Sequence, residues 1–320
     1  MQYRNMGNSG LKVSLAGLGC NNFGRRVDQK GTRVVVDAAI DAGINLFDTA
    51  DIYGGSLSEK FLGRALGKRR QDVVVVSKFG LPMLEGLGAR EDVNRGSRRY
   101  VVAACEASLK RLGSDYIDLY LLHTPDAKTP IGETLDAMSR LVDQGKVRYI
   151  GCSNLSGWQI ADADWQAQTD GNQHFIAAQN EWSLLERDIE AEVVPACERF
   201  GLSIMPFFPL ASGLLTGKYK RGNKPPKGTR LAADDDYYRS LLSDANFDRA
   251  EALEAWAAER GHSLLELALA WLASRPVVST VIAGATKVKQ IKSNVAAING
   301  WTLDADEMAA VDGVLKRVAG

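Results

Sequence analysis

Two short segments carry the chemistry that the chain most readily suggests. The apolar run INLFD ends on Asp48, and the loop after it, TADIYGG, presents Asp51 and Tyr53. The next apolar run, VVVVSKF, carries Lys78 near its end, and the one after that, YIDLYLLH, closes on His123. Two further runs, VRYIGCSN and FIAAQNE, bring Ser153, Asn154 and Gln179 to equivalent places. Each residue has a plainer role of its own: an aspartate after a strand caps a turn, a lysine there reaches out to solvent, and a histidine packs as a structural side chain. Recurrence at one strand end after another is what argues for a site. A tyrosine ordinarily titrates near pH ~10, so it is a weak proton donor at neutral pH. A neighbouring ammonium favours the phenolate and is expected to lower that value. A buried lysine in turn needs a counter-charge, which Asp48 can supply. With His123 to orient a substrate oxygen, the group suits proton delivery to a carbonyl. Carbonyl reduction also needs a hydride, which no side chain provides, and a nicotinamide cofactor is its expected source.

These residues need a scaffold that gathers strand ends at one place. Eight apolar runs, at 14–19, 44–48, 73–79, 116–123, 147–153, 175–181, 202–208 and 279–284, alternate with helical patterns at 32–42, 56–67, 97–112, 132–144, 156–166, 188–200, 246–273 and 287–298. The runs are rich in Val, Ile and Leu without strict alternation, as parallel strands covered by helices are. Glycines follow many of the helical patterns, where a chain reversal is wanted. Eight such units predict a (β/α)8 TIM barrel, an α/β fold whose chemistry sits at the C-terminal ends of its strands. An open doubly wound sheet is the alternative, but GLGCNNFG after the first run lacks the G-x-G-x-x-G fingerprint. Residues 1–14 read as an N-terminal β-hairpin turning at GNSG, placed to plug the barrel bottom. Residues 214–245 form a long loop after strand seven, of the kind that serves as a lid. The last segment reads as a helix starting near Asp304 or Asp306. No linker interrupts the pattern, so the 320 residues are expected to form a single domain, 1–320.

Bulk composition narrows the partners. Lys plus Arg and Asp plus Glu both number 39, so the formal charge is zero and nothing favours nucleic acid or an anionic membrane surface. Cysteines at 20, 105, 152 and 197 form no C-x-x-C pair and no zinc spacing, which predicts reduced thiols and no metal. There is no signal-peptide core and no apolar run near the ~18–20 residues of a membrane helix. A cytoplasmic protein acting on a small molecule is expected, and its oligomeric state stays open.

The motifs FDTADIYGGSLSEKFLGRAL, VVSKFG, DLYLLHTPD and GKVRYIGCSN together resemble the aldo-keto reductases, particularly the bacterial branch similar to potassium-channel β subunits. The resemblance runs from LKVSLAGLG to QIKSN. It implies a catalytic tetrad of Asp48, Tyr53, Lys78 and His123, and reduction of an aldehyde or ketone with NADPH, in preference to NADH, bound extended and without a Rossmann domain. By the same resemblance Ser153, Asn154 and Gln179 hold the nicotinamide carboxamide, and Phe207 falls where a Tyr or Trp normally stacks on that ring. Phe208, Pro209, Leu210, Gly213, Leu215, Gly217 and Lys218 would follow the pyrophosphate, with Arg230 clamping from the long loop. Gly284, Thr286, Lys287, Gln290 and Asn294 match the segment around the adenosine and its 2′-phosphate. Asn22, Phe79 and Trp182 are expected in the substrate pocket. The sequence departs from the family pattern at Phe208, where Ser is common, at Cys20 and Asn21, and at Lys287, which lacks the fork of an Arg. Two other readings stand beside a reductase: a barrel aldolase using Lys78 as a Schiff-base nucleophile, and an NADPH-binding sensor or regulatory subunit that turns over slowly.

Overall fold

The structure is a computed structural model that describes residues 1–233 and 235–319. Asp234, inside the expected 214–245 loop, lies outside the described residues. The hairpin comes first, β1 (Tyr3–Asn5) antiparallel to β2 (Lys12–Ser14). Eight parallel strands follow: β3 (Ala16–Gly19), β4 (Leu46–Asp48), β5 (Val74–Phe79), β6 (Ile117–Leu122), β7 (Val147–Ser153), β8 (Ala177–Gln179), β9 (Ser203–Ile204) and β10 (Val281–Gly284). Their order in the sheet is β10-β3-β4-β5-β6-β7-β8-β9. Two backbone bonds join the ends of that row, Ile204 N to Val277 O at 2.8 Å and Ile282 N to Pro206 O at 3.2 Å. The expected (β/α)8 arrangement is therefore present.

Helices cover the outside: α1 (Gln29–Asp41), α2 (Leu57–Leu66), α3 (Arg98–Leu112), α4 (Ile131–Asp143), α5 (Gly157–Asp170) and α6 (Val193–Phe200). They continue as α7 (Asp236–Leu241), α8 (Asp244–Ala258), α9 (Leu264–Ala273), α10 (Val288–Gly300) and α11 (Ala305–Ala319). Three expectations change here. The helical pattern at 246–273 is two helices: the chain turns at Gly261, φ 77°, and Ser263 and Glu266 form a capping box that starts α9. The run at 202–208 keeps only two residues in regular pairing, since Pro206 has no N–H to continue a ladder. The loop after β9 is not open chain, because it contains 3₁₀ turns at Ala211–Thr216 and Arg230–Ala232 as well as α7.

The core has two layers. Leu46, Val74, Val76, Leu119, Leu121, Ala177, Met205 and Ile282 fill the barrel interior, together with Met6 and Val13 of the hairpin, which close its bottom. Phe47, Val75, Phe79, Tyr120, Leu122, Ile150, Cys152 and Ala178 face outward into the helix layer. Side chains alternate along a strand, so the interior set fixes which residues at the strand tops point inward. Asp48, Lys78, His123, Ser153 and Gln179 share the parity of Leu46, Val76, Leu121, Gly151 and Ala177. The four cysteines are buried and free, as expected of reduced thiols.

Helix packing is tight enough to demand glycine at one crossing. A Cβ on Gly63 of α2 would lie 2.0 Å from the Leu112 carbonyl oxygen at the end of α3. Gly63→Ala is expected to force these helices apart and cost ~1–3 kcal/mol, read as a lower midpoint in urea unfolding with an unchanged slope.

Candidate active site

Lys78 is the centre of the site. Its side chain is fully buried. Its ammonium meets Asp48 Oδ1 at 2.6 Å and donates to the Thr49 carbonyl at 2.8 Å and to Tyr53 Oη at 3.4 Å. Three acceptors thus match the three protons of the ammonium. Asp48 is held on the same oxygen by Gln179 Nε2 at 2.9 Å. Register explains the meeting: Asp48 pairs with Val76, and Lys78 lies two residues further along the same inward face. His123 follows β6 directly, its N–H bonded to the Phe79 carbonyl at 2.7 Å. Its ring stands edge-on to Tyr53, centroids 5.8 Å apart. The four residues expected to act together are therefore in one cluster at the C-terminal ends of the strands.

Protonation in this cluster follows burial and charge. Burial opposes a charge on Lys78, but Asp48 and Tyr53 outweigh it and hold the ammonium above its ordinary value. The Tyr53 phenol is raised: burial pushes it up, Lys78 pulls down without overcoming it, and Asp48 adds to the rise. The expected depression by Lys78 is thus real as a pull but loses to desolvation, and Tyr53 is a protonated phenol at neutral pH. His123 is lowered to about 3 by burial and by Lys78, so the ring is neutral.

Further residues expected at a cofactor lie beyond the cluster, on and after the later strands. Ser153 and Gln179 are register partners, and Asn154, at φ 60°, donates to the His123 carbonyl at 2.8 Å and to Ser153 Oγ at 3.0 Å. After β9 the backbone enters the left-handed region at Phe208, Ala211, Ser212 and Gly213. Gly213 suits its place because its φ of 102° is one that other residues rarely adopt. At α10 the N–H groups of Thr286 and Lys287 both donate to Gln290 Oε1, at 2.8 and 3.1 Å, while Asn294 is buried on the same helix. Gly284, at the end of β10, has Asn22 Nδ2 3.3 Å from its Cβ position. Arg230 lies 5.3 Å over the Phe208 ring and reaches Oδ1 of Asn21 and Asn22 at 3.4 and 3.5 Å. Burial lowers the Arg230 guanidinium, and Arg26 and Arg25 lower it further. Pro209, Leu210, Leu215 and Gly217 belong to the same turn-rich segment. The residues here fit a nicotinamide dinucleotide on two counts. Buried polar atoms of His123 (Nδ1), Asn180 (Oδ1) and Ser212 (Oγ) have no partner. Arg25 and Arg26 oppose the charge on Arg230, which a bound anion would relieve.

Two expected pocket residues are placed elsewhere. Phe79 is fully buried and stacks on Tyr120, centroids 4.9 Å apart, because it is one residue past inward-facing Lys78 and so points into the helix layer. Trp182 is fully buried against Trp271 and Arg275 and donates Nε1–H to Glu190 at 2.9 Å. Neither lines the mouth, whereas Asn22 lies beside Gly284 and Arg230. Asp51, expected as a loop or capping residue, lies in the turn after β4 and is buried there. Sequence reasoning missed other residues in this region. Asn180 and Ser212 gave no signal beyond adjacency to Gln179 and Gly213. Tyr237 of α7, whose hydroxyl donates to Glu181 at 2.8 Å and whose ring is 6.3 Å from Phe208, could not be paired across the long loop.

The energetics of the pair can be tested directly. Lys78→Met leaves the Asp48 carboxylate buried without its cation and is expected to cost ~3–5 kcal/mol. Adding Asp48→Asn to that variant should recover part of the loss in urea unfolding, since no uncompensated charge then remains.

Comparison with known proteins follows the same lines. The profile of the Aldo/keto reductase family matches residues 16–316. A probable voltage-gated potassium channel subunit beta of Oryza sativa subsp. japonica is 40% identical, the alignment covering 93% of this chain and 92% of that protein. The uncharacterized oxidoreductase YrpG of Bacillus subtilis is 36% identical, over 93% of this chain and 91% of its own. An L-glyceraldehyde 3-phosphate reductase of Escherichia coli K12 is 33% identical, over 98% and 92%. Among the described residues no helix is long and apolar enough to cross a membrane, and no group of His, Cys, Asp and Glu could hold a metal ion.

Proposed function

The chain belongs to the aldo/keto reductase family, and from that premise we propose that it is an NADPH-dependent carbonyl reductase that converts small aldehydes or ketones to alcohols, with Tyr53 as the proton donor. One observation carries this reading. The Lys78 ammonium spends two of its protons on Asp48 and Thr49 and directs the third at the Tyr53 oxygen. Bound NADPH supplies the hydride. The chain's own residues supply the rest. Tyr53 stays protonated until a carbonyl oxygen develops negative charge beside it, then gives up its proton. Lys78 stabilises the phenolate left behind, and Asp48 with Gln179 keeps the ammonium charged and aimed. His123, neutral, offers a hydrogen bond that orients the substrate oxygen without competing as an acid. Ser153, Asn154 and Gln179 would hold the carboxamide of the cofactor, and Phe207 would lie against its ring. The turn from Phe208 to Lys218, with Arg230, would take the pyrophosphate, and Thr286, Lys287, Gln290 and Asn294 the adenosine end.

The same geometry argues against a Schiff-base aldolase, because that chemistry needs a neutral amine and Lys78 is held charged. A slow cofactor-binding regulatory subunit is the second reading, favoured by the likeness to the rice protein. The two differ in kinetics, since a regulatory subunit would bind NADPH tightly and reduce 4-nitrobenzaldehyde no faster than it releases cofactor.

Tyr53→Phe is expected to cut NADPH oxidation with 4-nitrobenzaldehyde by at least ~100-fold, while fluorescence titration shows cofactor binding unchanged. A rate near that of the wild type would remove Tyr53 as the acid. Lys287→Ala should weaken NADPH by ~2–5-fold and leave NADH nearly unaffected, as read by the two dissociation constants. Equal losses would take Lys287 out of the phosphate site.

A further inference from the structure

Behind the tyrosine-bearing turn lies a pair of buried carboxyl groups that the proposed chemistry does not use. Asp51 is 1% exposed and Glu59, on α2, is 0% exposed. Glu59 is fully partnered: Ser77 Oγ donates to it at 2.5 Å and Arg111 Nε, from α3, at 2.5 Å. Asp51 has no side-chain partner; it accepts from the Ile52 N–H, and its Oδ1 is buried without a hydrogen bond. The groups that face it are Glu59 from α2, Arg111 and Tyr100 from α3, Lys78 from β5 and Tyr120 from β6. Both cations among them are already engaged, Arg111 with Glu59 and Lys78 with Asp48. An ionised Asp51 would be a second buried anion beside Glu59 with no cation of its own, which is costly. The carboxyl is therefore biased toward its protonated form.

Its place in the chain gives that bias a consequence. Asp51 lies inside the turn that Tyr53 N closes onto the Ala50 carbonyl at 3.2 Å, and its own N–H donates to the Lys78 carbonyl at 3.2 Å. It joins the turn that aims Tyr53 to the strand that carries Lys78. We infer that Asp51 is a positioning residue for Tyr53 that works as a protonated carboxyl, so that its ionisation on the alkaline side disturbs the turn and lowers turnover. This rests on the reading of Tyr53 as the proton donor.

Burial, then the neighbouring Glu59 charge, pushes the Asp51 carboxyl up to about 7 from an ordinary 3.8. The sign of the linked stability follows. Between those values the unfolded chain has released the Asp51 proton while the folded chain keeps it, so stability falls as pH rises from about 4 to about 7 and then levels.

The test compares the wild type with Asp51→Asn, a neutral isostere, in two measurements. In thermal unfolding the variant should gain on the wild type progressively from about pH 4 to about pH 7 and hold a constant lead above that. In NADPH oxidation with 4-nitrobenzaldehyde, wild-type kcat should fall by ~3-fold or more between about pH 6 and about pH 9. The variant should lack that fall, and the cofactor dissociation constants of the two proteins should not differ. Superimposable pH profiles for kcat, or a stability difference independent of pH, would overturn the inference. Should Asp51→Asn fail to fold, infrared titration of the wild type decides, since no buried carboxyl losing its proton near pH ~7 would also overturn it. If the stability profile behaves as expected while no carbonyl compound is reduced, the proposed reaction fails and the neutral state of Asp51 stands.

Discussion

The buried pair of Asp48 and Lys78 is the constraint on which the site depends. An ammonium in the barrel interior is stable only with a counter-charge at contact distance and acceptors for its remaining protons. Asp48, Thr49 and Tyr53 satisfy all three. The same contacts fix where the ammonium points and therefore where a phenolate could be stabilised. Gln179 reaches Asp48 from across the barrel, so β4, β5 and β8 are tied into one network. A small shift in any of them would leave a buried charge or amide unsatisfied, and that penalty keeps the site in register.

Burial in this network also sets the protonation states. The lysine is held charged by its neighbours, the phenol is held neutral by desolvation, and the imidazole is held neutral by both burial and the lysine. Each group is thereby kept in the state that proton donation to a carbonyl requires. Asp51 extends the pattern outward, as a buried carboxyl pushed up to about 7 while the nearby cations are engaged by other anions.

The barrel was legible in the sequence because eight apolar runs and their intervening helical patterns recur with little interruption. The strand ends were less so. Ser203–Ile204 is a two-residue strand where a largely apolar seven-residue run suggested more, since hydrophobicity reports burial and not backbone pairing. The single helix expected at 246–273 is two, because the turn at Gly261 was outweighed by the apolar residues on either side. Phe79 and Trp182 were misplaced for a related reason. Proximity in sequence to Lys78 and Gln179 suggested the mouth, but one residue past an inward-facing side chain points the other way, and Trp182 is claimed by Trp271 and Glu190.

By itself the sequence determined that Asp48, Lys78 and His123 share the strand ends of one barrel, since period and position along the chain suffice for that. It also determined the family, because the motifs around those residues are specific. Only the tertiary structure decided that desolvation outweighs Lys78 at the Tyr53 phenol, that Asp51 is buried near Glu59 without a cation of its own, and that Arg25 and Arg26 oppose the charge on Arg230. The physical reason is common to all three. A residue's type and spacing say which face it occupies, whereas its electrostatics depend on groups brought beside it from distant segments and on how much water they leave.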